Sequence, residues 1–211
     1  MRFKRVKPIF KDDFLKIKNS RVLILGVGGV GGYCLDCLYR SGVEDIDILD
    51  FDTFDITNQN RQIGSEFVGE KKTKVLSKIY PGVVAIDMKL TPEIIKKFDF
   101  GGYDVVVDAI DDLSCKVELS HAAYEKLVSS CGAAKRKDPT KIEIASIWDT
   151  KSDPFAKKFR YLLKKSGFKG DFSTVYSTEN PIKSDELGSF VGVTGAMGLT
   201  LGYLAIKKIV S

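Results

Sequence analysis

RVLILGVGGVG, the sequence of residues 21–31, joins an uninterrupted apolar run to four closely spaced glycines. Such a run is typical of a parallel strand that is buried on both faces. Glycines directly after the strand permit a tight turn and let backbone N–H groups approach a phosphate at the start of the next helix. We therefore predict a nucleotide-binding strand–turn–helix unit, with the phosphates close to Gly26, Gly28, Gly29 and Gly31.

The strand–helix alternation continues over the first 130 residues and predicts an α/β fold with a doubly wound, mostly parallel Rossmann-like sheet. Further strands are predicted at 45–49, 83–88, 103–109 and 127–131, with helices at 28–41, 70–79, 92–98 and 113–126. The last third differs. It adds strands at 141–147 and 172–177, a basic helix at 154–165 and a closing glycine-rich apolar helix at 189–209.

Composition fits one globular domain. The 211 residues are 44% hydrophobic and 29% charged, which argues against disorder, collagen and coiled coil. No linker separates the parts, so we expect a single domain at 1–211. Residues 1–134 would form its nucleotide-binding core, and 135–211 an elaboration that faces the substrate or a dimer partner.

The net charge of +5 is unevenly distributed. Residues 1–18 hold seven basic and two acidic side chains, and residues 135–169 hold eleven basic and four acidic ones. Residues 19–134 are acidic, with 12 basic and 18 acidic side chains. The two basic segments point to a polyanionic partner, although a solvated lysine-rich surface has the same composition.

Four cysteines and no apolar leader favour a reducing, cytoplasmic setting. Cys34 and Cys37 have the spacing of zinc ligands but lie within a predicted helix, so we interpret them as core residues and expect no zinc site. Residues 187–206 carry no lysine or arginine, and their glycines recur at helical spacing. We favour a buried helix there, and membrane contact stays open.

Charged residues after the second and fourth predicted strands narrow the chemistry. Asp50 stands where an acidic side chain can accept hydrogen bonds from ribose hydroxyls. Arg61 and Lys74, 13 residues apart, supply cations that a nicotinamide dehydrogenase does not need. A nucleotidyl transfer does need them, because negative charge builds up at the α-phosphate. Asp111 follows another strand and is predicted to hold a magnesium ion that bridges ATP phosphates.

The spaced motifs GVGGVG, LDFD, TNQNRQ and DAID resemble those of the ubiquitin-activating-enzyme/ThiF/MoeB superfamily, which adenylates carboxylates with ATP. The resemblance implies that Gly29 and Asp50 contact ATP. It also implies that Asn58, Arg61 and Lys74 line the phosphates, that Asp111 binds magnesium and that Asp112 lies beside the nucleotide. Catalysis is thereby assigned to Arg61, Lys74 and Asp111.

Further motifs resemble the tRNA threonylcarbamoyladenosine dehydratase family (TcdA/CsdL) and cover nearly the whole chain. They are RFKR at residues 2–5, GA followed by DPT at 132–140, DPFA at 153–156 and VYSTENP at 175–181. The resemblance implies ATP-dependent cyclisation of threonylcarbamoyladenosine beside the tRNA anticodon. It also implies a homodimer in which Arg2 or Arg5 reaches the partner's ATP.

The second basic segment is the predicted contact for tRNA, because lysine and arginine bind phosphates without reading sequence. The candidates are Lys135, Arg136, Lys137, Lys157, Lys158 and Arg160. Lys116 is equally compatible with nucleotide contact and with a charge on the helix surface. His121 fits a solvated role better than catalysis.

Alternatives remain at this stage. An adenylating enzyme for the C-terminus of a ubiquitin-like sulfur carrier would have the same motifs. An NAD-dependent oxidoreductase would have the glycine loop and Asp50. A non-catalytic scaffold would have the same fold. The sequence does not decide on a monovalent cation, on a sulfur-relay partner or on the reactivity of Cys131.

Overall fold

Seven strands form a single sheet in the computed structural model, which describes residues 2–211. The strand order is β3-β2-β1-β4-β5-β7-β6, and only β6 runs antiparallel to its neighbour. The strands are β1 (Arg21–Leu25), β2 (Asp45–Asp50), β3 (Val84–Asp87), β4 (Val105–Asp108), β5 (Leu127–Ser130), β6 (Ile142–Ser146) and β7 (Ser173–Ser177).

Eight α-helices lie around this sheet within the described part of the chain. They are α1 (Lys7–Phe10), α2 (Asp13–Asn19), α3 (Gly31–Ser41), α4 (Lys72–Ile79), α5 (Pro92–Lys97), α6 (Leu113–Ala123), α7 (Pro154–Lys165) and α8 (Val191–Val210). Short 3-10 turns lie at Ile56–Asn58, Tyr124–Lys126, Pro139–Lys141 and Ile147–Asp149. The predicted mostly parallel α/β fold is confirmed. The ends of the predicted elements differ by a few residues, and helices α1 and α2 were not predicted.

The strand order reverses between β1 and β4, which pair directly with Leu25 opposite Asp108. Chain connections leave these two strands toward opposite sides, so a crevice opens beyond their carboxyl ends. The glycine loop follows β1, and the DAID motif begins at the last residue of β4. The fold therefore brings two of the predicted motifs to the same edge of the sheet.

Two apolar clusters fill the space on the faces of the sheet. One joins α3, α4 and α8 to the strands, and the other joins α5, α6 and α7. Strands β6 and β7 extend the same sheet, so the residues after 134 share one sheet with the strands that precede them.

Helix α8 is long and apolar enough to cross a membrane by length and composition alone. In this structure it packs along α3, and 56% of its most apolar window is buried. Gly198 makes the approach possible, because an added Cβ would lie 2.3 Å from the carbonyl oxygen of Val30. The glycine spacing thus serves close packing between two helices of the core.

Candidate active site

A cavity of about 400 Å³ opens at the carboxyl ends of the parallel strands, beyond the reversal point between β1 and β4. Its wall combines the glycine loop, the segment after β2 and the residues that follow β4 and β5. The predicted site residues that line it are Gly26, Gly28, Gly29, Asp50, Asn58, Arg61, Asp111 and Asp112.

The glycine loop has two positions that require glycine. Gly26 adopts a left-handed φ of +82°, and an added Cβ would lie 2.8 Å from the carbonyl oxygen of Ala109. At Gly31 the added Cβ would lie 1.9 Å from the carbonyl oxygen of Gly26. Gly31 begins α3 and does not line the cavity, so its part is to let the helix pack against the loop.

Asp50 ends β2 with its carboxylate directed at the glycine loop. One oxygen accepts the N–H of Val27 at 2.9 Å and the other accepts the N–H of Asp52 at 2.9 Å. Each oxygen has lone-pair capacity beyond one hydrogen bond. The carboxylate is therefore fixed in position and can still accept bonds from the two hydroxyls of a ribose.

Arg61 is held by the chain around it. Its Nη1 donates to the carbonyl of Thr57 and to Oδ1 of Asn60, both at 2.8 Å. Asn58 is fixed in turn by a capping box with Asp55 at the start of the short 3-10 turn. These bonds use only one nitrogen of the guanidinium, so its other N–H groups can serve a phosphate in the cavity.

The lysine that lines the cavity is Lys72, whereas the predicted Lys74 does not line it. Lys74 is exposed on the outer face of α4, where its Nζ pairs with Glu70 at 3.3 Å. Lys72 is only 6% exposed, lines the cavity and pairs through Nζ with Asp52 at 2.9 Å. Helical spacing in the sequence could have identified Lys72 as the inward-facing lysine, because it shares a helix face with Val75 and Leu76, which are both buried.

The two acidic residues after β4 have different tasks. Asp112 caps α6, accepting the N–H of Cys115 at 2.8 Å and the hydroxyl of Ser114, and these hydrogen bonds lower its pKa. Asp111 lines the same cavity and is exposed. Within residues 2–211 no three acidic, histidine or cysteine side chains cluster as a metal site. A single carboxylate suits a magnesium ion that takes its other ligands from phosphates and water.

Lys116 neither touches the cavity nor lies on a helix surface, so both predicted alternatives are wrong. Its side chain is fully buried behind the cavity wall. Nζ pairs with the Asp108 carboxylate at 2.8 Å and donates to the carbonyl of Ser130 at 2.8 Å. It thereby ties the end of β4 to the end of β5, a role that only the tertiary contact reveals.

Cys131 lines the cavity but has the character of a buried thiol. Its side chain is 5% exposed, and burial raises its pKa to about 12. A nucleophilic cysteine needs the thiolate form at neutral pH. Cys34 is buried within α3, and His121 is exposed with Nε2 at 2.9 Å from the Ser166 hydroxyl.

The predicted tRNA contacts divide into exposed and buried residues. Lys137, Lys157 and Lys158 are exposed, and Lys135 is half-buried with its Nζ on the carbonyl of Ser184. Arg160 is also half-buried and bonds to the Thr150 hydroxyl. The prediction for Arg136 is wrong. Its side chain is buried, because it pairs with the equally buried Asp153 at 3.0 Å and is out of reach of an external phosphate.

The N-terminal arginines also differ. Arg2 stacks on the ring of Tyr39 at 3.6 Å and donates to the carbonyl of the same residue at 2.8 Å. Arg5 is exposed on the turn before α1. Of the two, Arg5 is the better placed to reach another molecule.

Comparisons with known proteins agree with this site. The ThiF family model matches residues 2–205. A tRNA threonylcarbamoyladenosine dehydratase of Bacillus subtilis (strain 168) is 40% identical over 185 residues, which are 82% of this chain and 73% of the relative. The dehydratase of Haemophilus influenzae is 35% identical over 73% of this chain and 63% of the relative. The chain thus spans between 63% and 73% of these two curated relatives.

Solved structures of the Escherichia coli tRNA N6-threonylcarbamoyladenosine dehydratase, TcdA, share the whole architecture. The complex with AMP superposes with a TM-score of 0.91 and the complex with ATP with 0.89. Each is 29% identical and covers 99% of this chain and 93% of that chain. By the family match, the identities and the common fold, this chain belongs to the ThiF family and, within it, to the tRNA threonylcarbamoyladenosine dehydratases.

Proposed function

We propose that this protein is an ATP-dependent dehydratase that adenylates the carboxylate of threonylcarbamoyladenosine in tRNA and cyclises it. The observation that carries the proposal is the composition of one cavity. A fixed carboxylate for ribose, Asp50, lies in the same wall as two cations for phosphate, Arg61 and Lys72. The ATP and AMP complexes of the Escherichia coli TcdA, which shares this fold, support ATP as the nucleotide.

The proposed reaction has two steps. In the first, a carboxylate oxygen of the threonyl group attacks the α-phosphorus of ATP, and pyrophosphate leaves with the bridging oxygen. In the second, the carbamoyl group attacks the acyl carbon and loses a proton, and AMP leaves with the former carboxylate oxygen. The nucleoside loses the elements of one water. Because both reacting groups belong to the substrate, positioning replaces an enzyme nucleophile.

Each cavity residue has a task in this scheme. Asp50 holds the ribose, and the glycine loop offers N–H groups to the phosphates. Arg61 and Lys72 stabilise the charge that builds up on the α-phosphate and on the departing pyrophosphate. Asp111 would hold magnesium on the phosphates, where the ion neutralises charge.

The exposed side of α7 is the proposed contact for tRNA. Helix α7 begins beside the cavity, which Phe155 lines, and its 12 residues extend for roughly 18 Å. Lys157, Lys158 and Tyr161 are exposed along it, and lysines further on continue the basic face. A tRNA backbone that follows this helix would place the modified nucleoside near the cavity mouth.

We further propose a homodimer in the cytoplasm, where the substrate tRNA is found. A second protomer would bring Arg5 to the nucleotide of the first. Both arginines are exposed, but Arg2 stacks on Tyr39 within its own chain, which favours Arg5.

Incubation with ATP, magnesium and tRNA carrying threonylcarbamoyladenosine tests the function. We expect a nucleoside lighter by one water in mass spectrometry, together with AMP and pyrophosphate. Arg61→Ala is expected to slow the conversion by about two to three orders of magnitude. If no lighter nucleoside forms and pyrophosphate exchange instead requires the C-terminal carboxylate of a ubiquitin-like sulfur carrier, the proposal is wrong and that carrier is the substrate.

A further inference from the structure

Arg136 occupies a buried position where three segments around the cavity meet. Its guanidinium is 2% exposed, with Nη2 at 3.0 Å from the Asp153 carboxylate. Nε donates to the carbonyl of Glu179 at 3.2 Å, and Nη1 donates to the carbonyl of Gly132. A planar guanidinium presents donors at fixed angles, so this side chain hydrogen-bonds two carbonyls while its charge pairs with the Asp153 carboxylate.

Two of the three partners connect to the cavity itself. Gly132 lines the cavity directly after β5. Asp153 caps α7, accepting the N–H of Phe155 at 2.8 Å and of Ala156 at 3.1 Å. Phe155 lines the cavity and lies against Gly132. Arg136 therefore connects the cavity wall to the first turn of the helix that carries Lys157 and Lys158.

The third partner leads to the segment before α8. The Glu179 carboxylate accepts the N–H of Lys137 and of Asp138, the latter at 2.9 Å. Lys135 bonds through its backbone to Gly188 at 2.9 Å and to Ile182 at 2.7 Å. Residues 179–188 are thus held against the same loop that contains Arg136.

Resting on the proposed function, we infer that Arg136 is a positioning residue that fixes the cavity wall relative to the tRNA-binding helix α7. The nucleotide is held by one side of this junction and the tRNA by the other. The threonyl carboxylate must meet the α-phosphate at a bond-forming distance, and misplacement by about 1 Å can cost a hundredfold in rate. The Arg136–Asp153 pair sets that alignment without touching either substrate.

The test compares Arg136→Gln, Asp153→Asn and the double variant with the wild-type protein. Asn retains the ability to cap α7, and the double variant leaves no unpaired buried charge. For each protein we would measure the ATP-binding stoichiometry and Kd, the tRNA Kd, the melting temperature, and kcat per ATP-binding site at saturating tRNA.

We expect kcat per site to fall about ten- to a hundredfold in each single variant, with both Kd values within roughly threefold of wild type. The double variant should lose no more than the worse single variant, because both act through one junction. Arg136→Lys keeps the positive charge beside Asp153 but lacks the planar guanidinium with its several donors. Its kcat should therefore lie between those of wild type and Arg136→Gln. Lys157→Gln/Lys158→Gln, the comparison variant, should instead raise KM for tRNA, which separates weaker tRNA binding from misalignment.

A kcat per site equal to wild type, or a loss that follows only the fraction of folded, ATP-binding protein, would overturn the inference and leave Arg136 a purely structural residue. Additive losses in the double variant would do the same. If the wild-type protein itself forms no dehydrated nucleoside, the proposed function is wrong, and the inference fails with it. Failure of the inference alone would appear only in the variants, with the wild-type protein active.

Discussion

At the scale of single residues, the site depends on charged groups held by backbone or by one partner. The Lys72 ammonium lies in the cavity wall with little access to water, and the Asp52 carboxylate at 2.9 Å balances it. Asp52 is itself 47% exposed, so this pair is only partly removed from solvent. Phosphate entering the cavity would meet a cation that is already in place, and no rearrangement would be required to stabilise the transition state.

Lys72→Met and Lys74→Met form a matched pair that tests the corrected assignment. Lys72→Met should lower kcat/KM for ATP by about a hundredfold or more, because a preorganised cation at the phosphates is lost. Lys74→Met should stay within roughly twofold of wild type, since Lys74 pairs only with Glu70 on the surface. AMP formation with tRNA present measures both, and equal losses would contradict the assignment.

Cys131 provides a test of covalent catalysis. Its pKa of about 12 keeps the folded-state thiol protonated at neutral pH, and thiolate accumulates only as the pH approaches that value. We expect Cys131→Ala to retain dehydratase activity and native Cys131 to react slowly with iodoacetamide at pH 8. Loss of turnover in Cys131→Ala together with fast native alkylation would instead indicate a thiolate nucleophile.

Local sequence was enough to predict the place of some of these residues but not of others. Asp50 could be predicted because a strand end and a glycine loop fix its place in the chain. Lys72 and Lys74 stand two residues apart in one lysine-rich stretch, and only the helix register shows which of them faces the cavity. Arg136 stands between two lysines, and nothing local separates it from a surface charge. Its burial follows from Asp153, a contact over 17 residues that depends on the tertiary fold.

At the scale of elements, the packing of α8 on α3 fixes one wall of the cavity. Thr194 of α8 lines the cavity, so the position of this helix bears directly on the site. Close approach depends on small residues where the helices cross, as Gly198 shows. Periodic glycines in the sequence predicted close packing, whereas the identity of the partner helix required the fold.

Gly198→Ala and Gly195→Ala test this contact within one helix. The Cβ added at residue 198 would lie 2.6 Å from Cβ of Tyr33 as well as 2.3 Å from the Val30 carbonyl, and we expect a loss of about 1–3 kcal/mol. At residue 195 the nearest atoms are at 3.6 Å, and alanine favours the helix, so stability should stay equal or rise by up to about 1 kcal/mol. Urea unfolding measures both. An equal effect at the two positions would contradict the packing.

At the scale of the whole molecule, the acidic and basic segments of the chain have different places. The acidic part, residues 19–134, contains the strands and loops that form most of the cavity, and Asp50 and Asp111 are among its charges. The second basic segment contains α7. Composition alone left open both a polyanionic partner and a solvated lysine-rich surface. Only the structure shows which of these cations are accessible to such a partner, since Arg136 forms an internal ion pair with Asp153.

The salt dependence of tRNA binding tests the α7 surface. Each phosphate contact made by lysine releases counterions, so losing contacts weakens binding and flattens the slope of log K against log salt. We expect Lys157→Gln/Lys158→Gln to weaken tRNA binding and reduce the slope by roughly one to two, with the Kd for ATP unchanged. Fluorescence titrations at several salt concentrations provide the values. A slope equal to that of wild type would exclude this helix as the contact.

The fate of one oxygen atom tests the central claim most directly. If the threonyl carboxylate of the tRNA substrate is labelled with a heavy oxygen isotope, adenylation carries one labelled oxygen into AMP in each turnover. We predict labelled AMP and unlabelled pyrophosphate, in equal amounts with the dehydrated nucleoside. Label found in inorganic phosphate, with ADP as the nucleotide product, would show attack at the γ-phosphate and would contradict the account of this cavity as an adenylating site.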